Sequence, residues 1–174
     1  MPHRQPDLAA LAERMGEQPL RQRLARERGA AAHEALGARV LMNENVALRR
    51  GDAQLHIAGI DDAHYFRTHD LPRAARGIPR DACALLLSHT PQPYREAAEH
   101  GFAAMLCGHT HGGQICLPGG IPLLTETRAP RRLARGSWRF AGMAGYTSVG
   151  CGCSNVDARY FCPPEVTVHA LRSA

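Results

Sequence analysis

The sequence has 174 residues, of which 44% are apolar and 21% are charged, and its net charge is +5. These values exclude a disordered tail, because the chain can bury the core of one ordinary domain, and we expect no membrane segment, since no apolar run approaches the roughly 20 residues of a spanning helix. All 21 basic residues are arginine and are mostly scattered, while aromatic residues make up only 5%, so we expect no nucleic-acid binding.

The first 39 residues are predicted to be helical. Residues 8–36 are rich in Ala, Arg, Glu and Leu, which are strong helix formers. Pro19 is expected to divide them into two helices, and Gly37 is placed to cap the second. We therefore separate residues 1–39, a helical segment whose role the sequence does not indicate, from the rest of the chain.

From residue 40 onward the pattern changes to short strands. Residues 84–87 are all apolar, which is typical of a strand buried on both faces. Strands interrupted by turns and short helices predict an α/β domain, or an α+β layered one, over residues 40–174. The predicted strands are 40–42, 46–48, 54–60, 84–87, 102–106, 143–149 and 166–171, with a helix at 94–100.

Three histidines directly follow two of these buried strands. His89 comes after the strand at 84–87, and His109 and His111 come after the strand at 102–106, within a glycine-rich turn. Buried strands hold their ends rigidly, and neutral imidazole is the commonest metal ligand in proteins. The placement therefore predicts a metal site. Six other histidines are interpreted as ordinary surface or structural residues: His3, His33, His56, His69, His100 and His169.

Six cysteines permit disulfides, but a chain of this size does not need them. No Cys-x-x-Cys pair occurs, and Cys151 and Cys153 are the only close pair. We expect the cysteines to be small buried hydrophobic residues rather than metal or redox groups.

The histidine run resembles a known family. The letters GHTHGGQ at 108–114, preceded by LSHTP at 87–91, are similar to the C-terminal half of the calcineurin-like metallophosphoesterases, whose bacterial branch typically reads SHxPD and then SGHTHGGQ. Three further segments resemble that branch in the same order: VLMNE at 40–44, IAGIDD at 57–62 and CPPEV at 162–166.

The resemblance implies a phosphoester hydrolase, a phosphodiesterase or a phosphomonoesterase, with a binuclear metal centre. It implies a sandwich of two mixed sheets flanked by helices. His89 and His109 would bind one divalent ion and His111 the other, and the backbone of Gly112 and Gly113 would approach the substrate. Histidine together with carboxylate suits Mn, Fe, Zn or Ni.

The N-terminal half of the family pattern has no counterpart in this chain. That half supplies an Asp-x-His, a Gly-Asp with the bridging carboxylate and a Gly-Asn-His, and the last does not occur here. Gly51-Asp52 and Asp62-Ala63-His64 spell the other two in the wrong order, and we interpret them as a turn and as part of the middle segment. The chain is therefore interpreted as a C-terminal portion with the N-terminal half missing.

Three functional hypotheses remain open. The chain is a metallophosphoesterase completed by a missing N-terminal half or by self-association, or it is a catalytically inactive metal-binding or interaction remnant of that fold, or it is a gene fragment without a function. We expect a cytoplasmic location for the chain as given, although relatives can be anchored in a membrane through an N-terminal segment.

Overall fold

The computed structural model describes residues 28–172. They fall into two units divided between Val40 and Leu41. The helices predicted before residue 28, with the break at Pro19, lie outside the described residues. No helix in the described part is long and apolar enough to cross a membrane.

The described part of the first unit is the end of a helix. Residues 28–35 are helical, and Gly37 has a φ of 84°, in the left-handed region. The Ala38 amide donates to the His33 carbonyl at 3.1 Å, and the Gly37 amide donates to the Glu34 carbonyl at 2.9 Å. These bonds satisfy carbonyls that the ending helix would leave open, so the predicted cap is confirmed.

The second unit is built on a six-stranded mixed sheet. The elements of this unit are β1 (Glu44–Arg50), β2 (Ala53–Gly59), α1 (Leu71–Ala74), β3 (Ala84–Leu87), α2 (Tyr94–Glu99), β4 (Ala104–Cys107), β5 (Cys116–Leu117), β6 (Ile121–Pro122), β7 (Gly136–Phe140) and β8 (Met143–Thr147). The strand order of the sheet is β1-β2-β3-β4-β8-β7, in which β2, β3, β4 and β8 are parallel to one another and the edge strands β1 and β7 are antiparallel to them. A separate two-stranded hairpin, β5-β6, follows the histidine run.

One face of the sheet carries the hydrophobic core. Leu86 and Met105 are fully buried in its centre, and Trp138 joins the same cluster from β7. The helices cover this face with Leu71 of α1 and Ala97 of α2, both also fully buried. The mixed α/β character predicted from the sequence is therefore confirmed.

The opposite face is apolar but only partly covered. Leu48 and Leu87 lie on it and remain 51% and 39% exposed. Near β8, the C-terminal segment crosses this face, where the Tyr146 hydroxyl donates to Oε1 of Glu165 at 2.8 Å and the His169 ring packs edge-on against Tyr146. The part of the face formed by β1, β2 and β3 has Leu48, Leu55, Ile57 and Leu87 partly or largely exposed.

Two of the predicted strands are wrong. Residues 40–42 form no strand, because the chain turns at Asn43, which has a φ of 58°. The Asn43 side chain accepts from the amides of Asp61 and Asp70, each at 2.9 Å, so it ties two loops together instead of continuing a ladder. Residues 166–171 also form no strand.

The cysteines divide into two groups, and all six are free. Cys107, Cys116 and Cys162 are buried, as predicted, whereas Cys83, Cys151 and Cys153 are exposed. The prediction is wrong for the second group because these residues lie in loops, where no apolar neighbour covers them.

Candidate active site

The two loops that follow β3 and β4 bring His89 and His109 together. These strands are parallel neighbours, with Leu87 opposite Leu106, so their carboxyl ends meet at one edge of the sheet. The Gly108 amide donates to the His89 carbonyl at 3.1 Å, which fixes one loop on the other. As a result, Nε2 of His89 lies 3.0 Å from Nδ1 of His109, and the ring centroids are 4.7 Å apart.

The orientation of the His109 ring is set by a backbone carbonyl. Nε2 of His109 lies 3.1 Å from the carbonyl oxygen of Glu126, and only a protonated ring nitrogen can donate to a carbonyl. Nδ1 of a neutral His109 therefore keeps its lone pair, and it points towards His89. A hydrogen bond of this kind behind a histidine is the usual means of presenting the other nitrogen to a metal.

The surroundings of both rings favour the neutral form, because they lower the pKa of each. Burial lowers the pKa of His89, the Asp62 carboxylate acts against this, and the rings of His64 and His111 lower that pKa further. Burial and the neighbouring His89 ring also lower the pKa of His109, although the Glu126 carbonyl opposes them. Neutral imidazole is the form that binds a metal ion.

His111 occupies a separate position in the next turn. It begins a short 3-10 turn, His111–Gly113, and its own φ of 48° is left-handed, as is the 70° of His109. Left-handed backbone at non-glycine residues is costly and concentrates at functional sites. Nδ1 of His111 faces the guanidinium of Arg159 at 3.4 Å.

Packing explains why glycine follows His111. A methyl group on Gly112 would lie 2.5 Å from Cγ1 of Val149, and one on Gly113 would lie 2.3 Å from Cβ of Pro122. Both glycines also have left-handed φ values, 62° and 87°. Both positions are therefore packed too closely for a side chain, and the predicted approach of Gly112 and Gly113 to a substrate stays a prediction.

Asp62 and His64 also lie at this edge of the sheet, which the sequence interpretation as a middle segment did not anticipate. The His64 ring centroid is 4.4 Å from that of His109, and Nδ1 of His64 contacts Oε1 of Gln92. Oδ2 of Asp62 accepts from the Phe66 amide at 2.6 Å. The available signal was position, because both residues follow β2, the parallel neighbour of β3.

The other candidate carboxylate lies elsewhere. Asp52 is in the turn between β1 and β2, at the opposite end of β2 from Asp62. Gly51 has a φ of 60° in that turn, as a tight hairpin connection requires. The interpretation of Gly51-Asp52 as a turn is therefore confirmed.

The described residues bring two potential metal ligands together. Two nitrogens bound to one tetrahedral zinc are separated by about 3.3 Å, given Zn–N bonds of about 2.0–2.1 Å, so the 3.0 Å between His89 and His109 suits two ligands of one ion. Within residues 28–172, however, no group of three or more His, Cys, Asp or Glu side chains is arranged to hold an ion. The described residues therefore bring no third donor of these types to the point where His89 and His109 meet.

A cleft of about 160 Å³ opens beside the histidines. Its floor is formed by residues 109–111 and 113–115, and its walls are residues 123–126 and 154–156. Gln114, the last residue of the run, accepts from the Ser154 amide at 2.7 Å and donates to the Val156 carbonyl at 2.6 Å. Gln114 had no predicted role, and the structure shows that its side chain fixes one wall of the cleft.

Comparison with curated proteins finds several relatives. The phosphodiesterase YaeI of Escherichia coli is 31% identical over 141 residues, which cover 79% of this chain and 49% of the relative. An uncharacterized metallophosphoesterase of Aquifex aeolicus is 30% identical, covering 78% of this chain and 51% of the relative. The uncharacterized metallophosphoesterase YkuE of Bacillus subtilis is 27% identical, covering 70% and 42%.

The chain thus spans about half the length of the curated relatives it matches. No protein-family model matches the chain, and no solved structure matches it either.

Proposed function

This chain belongs to the calcineurin-like metallophosphoesterase family, and we propose from that membership that it forms part of a metal-dependent phosphoester hydrolase. The observation that carries the proposal is the approach of His89 and His109, whose facing nitrogens are 3.0 Å apart at the carboxyl ends of two parallel strands. The substrate would be a phosphodiester or a phosphomonoester. The name of the Escherichia coli relative, a phosphodiesterase, favours the first.

In this proposal the chain contributes the histidine-rich half of a binuclear centre. His89 and His109 would hold one ion and His111 the other, and Gly112 and Gly113 would lie against the substrate. The ions would be Mn, Fe, Zn or Ni, and when bound they would supply Lewis acidity to a phosphoryl oxygen. The Glu126 carbonyl would keep Nδ1 of His109 free for its ion, by the hydrogen bond described above.

The missing donors would come from outside the described residues. Two neighbouring divalent ions repel each other and need anionic ligands, which three imidazoles cannot provide. We propose that an N-terminal half, or a second copy of the chain, supplies them. The partly exposed apolar face formed by β1, β2 and β3 supports this, because a second sheet packed there would complete a two-sheet sandwich. Residues 40–174 would then be the metallophosphoesterase region and residues 1–39 a helical addition.

The alternative is a catalytically inactive metal-binding or interaction remnant of the fold. It is favoured by one observation, the absence of a third converging donor within residues 28–172. The two candidates agree on metal binding by His89 and His109 and differ in turnover. Activity measured on the chain therefore separates them, once binding has been established.

Metal titration tests the shared part. We expect the chain to bind Zn²⁺ or Mn²⁺ in about one equivalent, since one pair of imidazoles converges and the second centre lacks a bridging carboxylate. The His109→Ala variant should lose this binding, whereas His100→Ala should keep it, because His100 is exposed at the end of α2. Isothermal titration calorimetry on the unmodified chain and on each variant measures the number of ions bound and their affinity. Equal binding by the two variants would contradict the proposal.

Hydrolysis of bis-p-nitrophenyl phosphate with added Mn²⁺ tests the rest. Turnover that His109→Ala abolishes would show that the chain is active alone, and that its carboxylates complete the site. Metal binding without turnover is expected if the missing half is required or if the chain is the inactive remnant. If adding an N-terminal half restores turnover, the chain is part of an enzyme and not an inactive remnant.

A further inference from the structure

The cleft beside the histidines has an unusual combination of floor and walls. The floor is mostly polar, whereas the walls combine polar residues such as Thr125 and Ser154 with large apolar side chains. The residues that matter for this contrast are His109, His111 and Gln114 on the floor and Leu123, Leu124 and Val156 on the walls. Because the floor is the proposed reaction site, a molecule bound there would contact both surfaces.

The walls are held in place by the histidine run itself. Gln114 bonds the backbone of the segment that carries Val156, through the Ser154 amide and the Val156 carbonyl. On the other side, Nε2 of His109 holds the Glu126 carbonyl at 3.1 Å. The two walls are thus positioned by residues of the floor, which favours a preformed binding cleft over loops that happen to lie close together.

The apolar wall residues are open to water. Leu123, Leu124 and Val156 are 54%, 64% and 56% exposed, so a molecule placed in the cleft would cover apolar surface that water now contacts. Exposed apolar side chains grouped beside convergent polar groups are typical of ligand sites.

The charge of the lining restricts the ligand further. The chain contains 21 arginines, yet none is among the described residues that line the cleft, whereas Glu126 is. Arg159, beside His111, directs its guanidinium to the carbonyls of Val149 and Gly152 at 2.7 and 2.5 Å. A ligand group with several negative charges would therefore find a carboxylate and no free cation in the lining.

From these observations we infer that the cleft binds the uncharged, apolar part of a phosphoester, so that the substrate carries its phosphate at the histidines and an apolar group against Leu123, Leu124 and Val156. This inference rests on the proposed function for the placement of the phosphate. The preference for an apolar group rests on the cleft walls alone. The inference excludes substrates whose alcohol part is itself anionic.

Binding of three small phosphonates, each as the dimethyl ester that leaves the phosphorus group uncharged, tests the preference on the chain without metal and without turnover. Methylphosphonate and phenylphosphonate differ only in their apolar group, and 4-carboxyphenylphosphonate adds a negative charge to the second. We expect phenylphosphonate to bind about tenfold more tightly than either of the others, since a half-buried phenyl ring adds several carbons of apolar contact. Titrations followed by methyl NMR give the affinities and show whether the Leu124 and Val156 methyl signals shift.

Two matched variants locate the effect. Leu124→Gln should reduce the preference for phenylphosphonate over methylphosphonate to about twofold. Leu117→Gln should leave it unchanged, because Leu117 is 48% exposed but does not line the cleft. Equal affinities in the unmodified chain, no binding of any of the three, or an unchanged preference in Leu124→Gln would each overturn the inference.

The outcome is separable from the proposed function. Metal-dependent hydrolysis found without an apolar preference would overturn the inference and leave the proposed function intact. An apolar preference that Leu124→Gln removes, in a chain that binds no metal ion, would support the cleft and count against the metal site.

Discussion

Gly112 is one of two positions in the histidine run where the packing depends directly on the absence of a side chain. A methyl group there would lie 2.5 Å from Cγ1 of Val149 and 2.8 Å from Sγ of Cys162, and φ is 62°. We predict that Gly112→Ala lowers the free energy of unfolding by about 2–4 kcal/mol, because both overlap and left-handed strain must be relieved. Urea denaturation measures the change.

Gly150 provides the matched control for that substitution. Its φ is 67°, but a methyl group placed on it would meet no atom within 4 Å. Gly150→Ala therefore carries only the strain of the left-handed backbone, about 1 kcal/mol. If the two variants lose the same stability, overlap at Gly112 is not the cause, and the close packing described for the histidine run is incorrect.

The C-terminal segment, residues 162–171, is held to the sheet by side-chain hydrogen bonds and forms no strand ladder. Oε1 of Glu165 accepts from the Tyr146 hydroxyl at 2.8 Å and from the Val149 amide at 3.2 Å. Burial acts to raise the pKa of Glu165, but these hydrogen bonds, with those from Thr167 and Ser148, outweigh it and the pKa is lowered. The folded state therefore favours the ionised carboxylate.

This lowered pKa predicts how stability changes with pH. A carboxylate whose pKa is lower when folded stabilises the protein fully above its unfolded pKa of about 4.3, and the contribution is lost as the pH falls through the folded value. Glu165→Gln should cost about 1 kcal/mol at pH 7, and the difference from the unmodified chain should shrink below about pH 4. Thermal unfolding between pH 7 and pH 3 measures it.

Glu99→Gln serves as the comparison, since Glu99 is exposed at the end of α2. Its stability should follow that of the unmodified chain over the whole pH range. A difference for Glu165→Gln that stays constant down to pH 3 would show that the hydrogen bonds to the carboxylate do not stabilise its ionised form.

The sequence predicted the central strands better than the peripheral elements. The apolar stretches that became β2, β3, β4 and β8 are buried between neighbours, so their composition reflects their position directly. β7 was not predicted, because Ser137, Trp138 and Arg139 alternate polar with apolar at a sheet edge. The C-terminal residues 166–171 alternate in the same way, but they pair through side chains of Glu165 and Thr167 and form no ladder.

The site could be predicted where it depends on strand ends and not where it depends on loops. His89 and His109 follow buried parallel strands, and their approach is a consequence of strand order. The role of Gln114 depends on the path of residues 154–156, which are 40 or more positions away. No local pattern encodes such a contact, and the same holds for the Glu126 carbonyl behind His109.

The partly exposed sheet face is the feature of the described chain that most favours self-association. Leu48 and Leu87 lie on this face, 51% and 39% exposed, among other apolar residues of β1, β2 and β3. Water-exposed apolar area costs about 25 cal/mol per Å². We therefore predict that the isolated chain self-associates with increasing concentration, which sedimentation velocity would show.

Substitutions on the face test that prediction. The double variant Leu48→Gln and Leu87→Gln should weaken self-association at least about tenfold, because it removes two apolar contacts from each copy. Leu117 on the β5-β6 hairpin is similarly exposed, at 48%, but lies outside the sheet face. The Leu117→Gln variant should therefore leave self-association unchanged. Equal weakening by both would place the contact outside the sheet face.

The division of the cysteines makes the thiols reporters of how often parts of the fold open. Cys83, Cys151 and Cys153 are exposed and should react with a thiol reagent at once, while the three buried thiols react only when their surroundings open. Cys116 and Cys162 both lie against the Gly112 carbonyl, so their labelling would time the release of the histidine run. Cys107 lies in β4, where burial raises its pKa to about 11, and its labelling would time the opening of the sheet. Two slow rates that differ would mean that the site loosens independently of the core beneath it.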